Sequence, residues 1–248
     1  MNTIRKITFA LLCAVALIHI PGCFIDLDDG QIGNCRRGSG PIVSEQIEMA
    51  PFSGIDLRIS GKVFVRQGAT QRVVVEAQQN VIDEMEFNVR NGIWEVRTDR
   101  CMRYNSSDLR IFVTLPDVRT LRVSGSGDIV SENTLLTDDL DLRISGSGRI
   151  DLAINAEDVF ARISGSGDIL LEGLADYIDL SISGSGSMRA FDLPVYRAKI
   201  NISGSGNADV TVSDNLEVRI SGSGDVRYKG SPAINAQISG SGKLRKAN

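Results

Sequence analysis

The sequence predicts an all-β fold: a parallel β-helix, or solenoid, with coils of about 18–21 residues, and N-terminal β-strands and a hairpin continuous with it. The first observation behind this is the tetrapeptide Ser-Gly-Ser-Gly. It starts at Ser124, Ser145, Ser164, Ser183, Ser203, Ser221 and Ser239, a period that belongs to stacked repeats. The second is the alternation in its flanks. Leu121 and Val123, Leu142 and Ile144, Leu180 and Ile182 and their counterparts precede the copies, and Ile129, Ile150, Ile169, Met188, Ala208, Val226 and Leu244 follow them. Apolar side chains therefore hold a period of two through the motif, which a flexible Gly-Ser linker would not do. The third is length. Turn residues such as Asn155, Gly173, Pro194, Asp214 and Gly230 cut each coil into two or three short strands and leave no room for an ordinary helix.

On this alternation the two glycines of each copy fall on the inward set and the two serines on the outward set. Inward glycine suits a strand entering a narrow interior where the walls converge. Outward serine, repeated at the ~4.8 Å spacing of neighbouring strands, makes two hydroxyl ladders along the solenoid.

The chain begins with an export pattern. Arg5 and Lys6 precede an apolar run from Ile7 to Ile20, which is too short to span a bilayer as a helix. Ile20-Pro21-Gly22-Cys23 resembles the lipobox of bacterial lipoproteins. Residues 1–22 are then a lipoprotein-type signal, Cys23 is the lipid-attachment residue, and residues 23–40 are the acylated cysteine and its tether. Phe24, in place of Asp after the cysteine, points to the outer membrane under the sorting rule of enteric bacteria. Removing residues 1–22 leaves 25 basic against 31 acidic residues, a net charge near −6, which argues against nucleic-acid binding. Outside the cytoplasm the remaining cysteines, Cys35 and Cys101, are expected to form a disulfide that ties the tether to the loop around Arg100 and Arg103.

Residues 41–248 read as one β-solenoid, irregular over 41–120 and regular over the seven copies of 121–248. Leu57–Val65 alternates, and Ile59-Ser60-Gly61 looks like a degenerate first copy in which Lys62 replaces the second Ser. Arg72–Ala77 is a further strand. Asn91-Gly92 is a two-residue hairpin signal that sets Val89 opposite Trp94 and Phe87 opposite Val96, so the single tryptophan belongs to the core. Leu109–Leu115 then leads through Pro116 into the first full copy.

Several of these features occur together in one known family. Gly38 in Gly-Ser-Gly, Phe52-Ser53-Gly54-Ile55, Val63 through Gln67-Gly68, Val73-Val74-Val75-Glu76-Ala77, Asn80, the Asn91-Gly92 hairpin, Val113-Thr114-Leu115-Pro116 and then Ser-Gly-Ser-Gly-Asp resemble the bacterial DUF2807 family over residues 38–248. Its members are described as auto-transporter adhesins with a head GIN domain. The resemblance implies an all-β solenoid on an exported, often lipid-anchored envelope protein, and it supplies no established activity. The sequence departs from the family at Gly61-Lys62 and in the cysteine pair.

Chemistry is sparse. The only histidine, His19, lies in the export segment, so histidine-based catalysis and the commonest transition-metal ligand are missing from the rest of the chain. Asp128, Asp168 and Asp225 could serve a polysaccharide-active β-helix enzyme. The same repeat position, however, holds Arg149, Ser187, Asn207 and Lys243 elsewhere, as a solvated corner would. Asp recurs too rarely, and the period is too long, for a calcium-binding nonapeptide solenoid. No cofactor and no metal are expected.

One outward position stands apart. Arg122, Arg143 and Arg162 occupy it in three consecutive coils and should stack, with Asp128, Asp141 and Asp168 available to neutralise them. This stripe is the candidate contact for an envelope or host glycan or protein. The basic residues Lys243, Arg245 and Lys246 should discourage end-to-end stacking, so a monomer is expected. The resulting expectation is a non-enzymatic, lipid-anchored envelope adhesin whose partners are the membrane, through its anchor, and a glycan or protein. A polysaccharide-active enzyme and a purely structural spacer are the alternatives.

Overall fold

The computed structural model describes residues 35–247. The export segment, Cys23 and the tether as far as residue 34 lie outside the described residues. The strands are β1 Arg36–Arg37, β2 Ile42–Ile47, β3 Gly54–Leu57, β4 Lys62–Gln67, β5 Arg72–Gln78, β6 Val89–Arg90, β7 Ile93–Val96, β8 Met102–Arg103, β9 Arg110–Leu115 and β10 Thr120–Val123. They continue as β11 Asp128–Ser131, β12 Leu135–Ile144, β13 Arg149–Ile163, β14 Asp168–Ile182, β15 Ser187–Ile202, β16 Asn207–Gly222, β17 Asp225–Gly230, β18 Ala233–Gly240 and β19 Lys243–Lys246.

From β10 onward each coil pairs in parallel with the next, as the repeat predicts. Leu121 lies beside Leu142, Leu142 beside Ala161, Ala161 beside Leu180, and so on to Val218 beside Ala236. Because inward residues meet inward residues at every step, Leu, Ile and Val of successive coils form one continuous core. Most of these side chains are fully buried, and their apolar area removed from water drives the stacking. The strands run through corners of the coil without interruption, so β13 to β16 are 15 or 16 residues long rather than two or three short pieces each.

The serines of the repeat are exposed, in line with the outward ladders. The glycines have a different reason from the expected one. A Cβ added to Gly146, Gly165 or Gly184 would lie under 3.0 Å from the backbone carbonyl oxygen of the equivalent glycine one coil back, a separation real Cβ atoms do not show. From the second copy on, the second glycine meets that obstacle and also a Cγ of the Val or Ile that precedes the motif one coil back, while Gly127 in the first copy meets a Leu57 methyl and the Gly61 carbonyl. Glycine is therefore required by the approach of one coil to the next, more than by the width of the interior. The same backbone is bonded across coils: Ser145 N–H donates to the Val123 carbonyl at 3.0 Å and Ser147 N–H to that of Gly125 at 3.2 Å.

The N-terminal part stacks out of chain order. β3 and β4, which flank the degenerate copy, pair with β10 and β11 on one side and with β7 and β9 on the other. The degenerate copy is thus a true layer, with Leu57 in register with Val123 and Lys62 with Asp128. In the stack it lies between β9 and the first full copy, although in the chain β9 leads through Pro116 straight into that copy, as the sequence indicated. Beyond β9 the direction reverses: β5 pairs antiparallel with β9 and β2 antiparallel with β5, which closes this end of the stack.

The hairpin forms where expected. Val89 pairs with Trp94, and Asn91 and Gly92 both take positive φ (52° and 72°), as a type I′ turn demands. Trp94 is fully buried between Phe52 and Phe87, and its Nε1–H donates to the Glu86 carbonyl at 2.9 Å. Cys35 and Cys101 form a disulfide, beside which β1 and β8 pair.

Candidate functional site

The register of β10, β12 and β13 decides where the predicted arginines go. Arg122 lies beside Arg143 and Arg143 beside Arg162, all on the outward set of one side of the solenoid. The ladder continues through Ser181, Asn201, Arg219 and Gln237, and in the other direction it meets Asp56 and then Glu95. The parallel row two residues earlier carries Thr120, Asp141, Phe160, Asp179, Lys199 and Glu217.

Of the three carboxylates expected to neutralise the stripe, only Asp141 does so. Arg143 donates to both its oxygens, Nε at 2.8 Å and Nη2 at 2.7 Å, and this bidentate bond is the main cause holding the guanidinium pKa above its usual value. Arg122 Nη2 lies 3.6 Å from the same carboxylate, while its buried Nε has no hydrogen-bond partner. Asp168 faces Arg189 instead, at 3.7 Å. Asp128 lies on a different side of the coil, beside Lys62 and Arg149. Those aspartates occupy a row whose first four members alternate in sign, Lys62, Asp128, Arg149 and Asp168, and which continues through the neutral Ser187 and Asn207.

Arg162 makes no ion pair among the described residues and is exposed. Over the three coils the ladder and the row beside it thus set three guanidiniums against one carboxylate. The stripe ends where Asp56, itself buried, accepts hydrogen bonds from Arg58 Nε and Ser124 Oγ, both at 2.8 Å. Arg58 also reaches Glu95 at 2.9 Å, so the acidic end of the ladder is internally satisfied.

Phe160 completes the site and was missed in the sequence. It stands between Asp141 and Asp179 in the adjacent row, two residues before Arg162, and is 38% exposed. The signal was available: an aromatic residue at a position the alternation places outside. The site therefore presents an open aromatic face, an unpaired guanidinium, two partly neutralised ones, and the exposed hydroxyl-bearing Ser145 and Ser164. It offers anion binding and ring stacking. No group of three His, Cys, Asp or Glu able to hold a metal ion occurs among the described residues.

A stack of coils with ordered outward ladders, a closed N-terminal end and an open basic stripe defines a β-solenoid. The chain belongs to the DUF2807 family, described as "Putative auto-transporter adhesin, head GIN domain", whose pattern matches residues 51–232. Solved structures share the fold. A putative adhesin from Bacteroides fragilis aligns with a TM-score of 0.81 at 24% identity, over 85% of this chain and 99% of that one. A putative lipid binding protein from Parabacteroides distasonis aligns at 0.71 and 22%, over 86% and 99%. A putative adhesin from Parabacteroides merdae aligns at 0.68 and 20%, over 86% and 98%. No functionally curated protein matches the chain.

Proposed function

We propose that this chain is a non-enzymatic adhesin of the bacterial envelope, held at the outer membrane by acyl chains on Cys23, and that its basic stripe binds an acidic glycan. The observation that carries the reading is the charge surplus around Arg162 beside an exposed Phe160. A sugar ring packs its C–H face on the aromatic ring while its carboxylate or sulfate meets the guanidinium. Arg122 and Arg143 add attraction at a distance, and their sharing of Asp141 keeps them from repelling one another. The chain's family supports a surface-interaction role, and the absence of histidine after residue 19 removes the commonest general base.

The test is retention on immobilised acidic polysaccharide, such as heparin and polygalacturonate, with neutral dextran as control. The wild type is expected to be retained and to elute with salt. The R122Q/R143Q/R162Q variant should flow through while keeping the wild-type circular dichroism spectrum. Equal retention of the two proteins would refute the stripe as the binding face. The anchor is tested separately by fatty-acid labelling in cells, which Cys23→Ala should abolish.

A further inference from the structure

The two ends of the stack are unlike. At the N-terminal end β5 and β2 turn antiparallel and cover the last parallel layer. At the other end β18 and β19 pair only with the coil before them, and their outer edges carry no strand among the described residues. Ile234 and Ile238 occupy inward positions, in register with Leu216 and Ile220, which are 0% and 2% exposed. They are themselves 45% and 43% exposed. An eight-residue strand with free N–H and C=O groups and apolar interior residues open to water is the kind of edge that proteins otherwise blunt.

The expected blunting charges, Lys243, Arg245 and Lys246, all lie on β19. β18 reads Ala-Ile-Asn-Ala-Gln-Ile-Ser-Gly and carries no charge at all. A strand without charge meets no electrostatic objection when it pairs with itself. Head-to-tail addition is disfavoured by the other end, because the parallel edge of β18 would have to meet the antiparallel cap formed by β2 and β5.

We propose that β18 is the interface of a two-fold dimer in which the C-terminal ends of two copies of this chain abut and β18 pairs antiparallel with β18 of the partner. An axis through Ala236 sets Ile234 opposite the second copy's Ile238 and Asn235 opposite its Gln237. Inward residues then meet inward residues, and neutral polar residues meet neutral polar residues. The same axis, perpendicular to the side that carries β18, exchanges the other two sides of the coil. Each β19 therefore faces away from its counterpart, and the basic residues there do not oppose one another. Such an isologous contact closes on itself, so the assembly stops at two. The interface lies at the end of the stack and is independent of the arginine stripe proposed above.

The test uses residues 24–248, which retain the whole described unit. Sedimentation velocity up to about 100 μM is expected to show a reversible dimer. Ile234→Lys combined with Ile238→Lys should give a monomer with unchanged circular dichroism, since both positions are already open. Ala236→Cys, the only free thiol in this protein once Cys35 and Cys101 are bonded, should cross-link into a covalent dimer under mild oxidation. A wild type that stays monomeric, a dimer that survives both lysines, or species larger than a dimer would each overturn the proposal.

Discussion

The coils after Thr120 and the layers before it share a cross-section but are held together by different means. In the coils, each layer touches its neighbours in sequence, and the recurring interactions are parallel backbone hydrogen bonds and glycines lying on glycine carbonyls. In residues 35–118 the stacking order departs from chain order, and individual side-chain contacts fix the arrangement. These include Trp94 between two phenylalanines, Arg97 on Glu86, Arg58 between Asp56 and Glu95, and the Cys35–Cys101 disulfide. A repeat stabilises itself step by step, as a sum of neighbouring terms. An end that must stop the stacking needs individual contacts, because no next layer satisfies its edge.

The sharpest probe of the N-terminal layers is the disulfide. It closes a loop of 66 residues that contains β1 to β7, so the chain-entropy model gives about 4 kcal/mol of stabilisation. Cys101→Ser is expected to lower the unfolding free energy by that amount, moving the urea midpoint down, with a slope that rises as the uncross-linked unfolded chain expands. Hydrogen exchange should show β2 and β5 opening before any coil of the repeat. A uniform loss of protection across the coils would mean that the two regions unfold as one.

For the coils the matching probe is Gly146→Ala. The new Cβ would collide with the Gly125 carbonyl, which is fixed by its own hydrogen bond to Ser147, so the layers must part locally at a cost of about 3 kcal/mol. Gly40→Ala serves as the contrast. It meets nothing within 4 Å and carries only the strain of its positive φ of 89°, about 1 kcal/mol. Urea denaturation of the two variants checks the difference, and equal costs would show that backbone conformation, not coil approach, selects glycine in the repeat.

These contrasts also mark what the sequence could express. The period and the stacking of the three arginines follow from the tetrapeptide repeat, the inward and outward sets from alternation, and the pairing of Val89 with Trp94 from the Asn91-Gly92 turn. The position of the degenerate copy between β9 and the first full copy does not follow, because alternation says nothing about which layer lies above which. The reason for the glycines was hidden for a related cause: it lies along the stacking axis, a direction the one-dimensional pattern does not sample. At the site, Asp141 as the partner of Arg143 was legible as a same-face neighbour two residues away. The removal of Asp128 and Asp168 to another side required the bend at Ser-Gly-Ser-Gly, whose angle no residue count supplies.

Tyr104 tests the seam between the two regions with the smallest effect. It follows the disulfide loop, and its hydroxyl donates to the Ser60 carbonyl at 2.8 Å in the degenerate copy, so it joins an irregular segment to a coil. Burial pushes its pKa up to about 12, against about 10 for an open tyrosine. A pKa raised by folding means that the folded chain holds the proton more tightly. The contribution is therefore complete below pH 10, declines as pH rises from about 10 to 12, and is absent beyond. Two units would correspond to about 2.7 kcal/mol, but the ring is only partly shielded from solvent, so less than about 2 kcal/mol is expected. Tyr104→Phe should lose the hydroxyl's bond at neutral pH and flatten the alkaline fall in stability measured by urea titration between pH 9 and 12. An unchanged slope would assign that fall to other groups, Tyr177 first among them, since its pKa is also raised by burial.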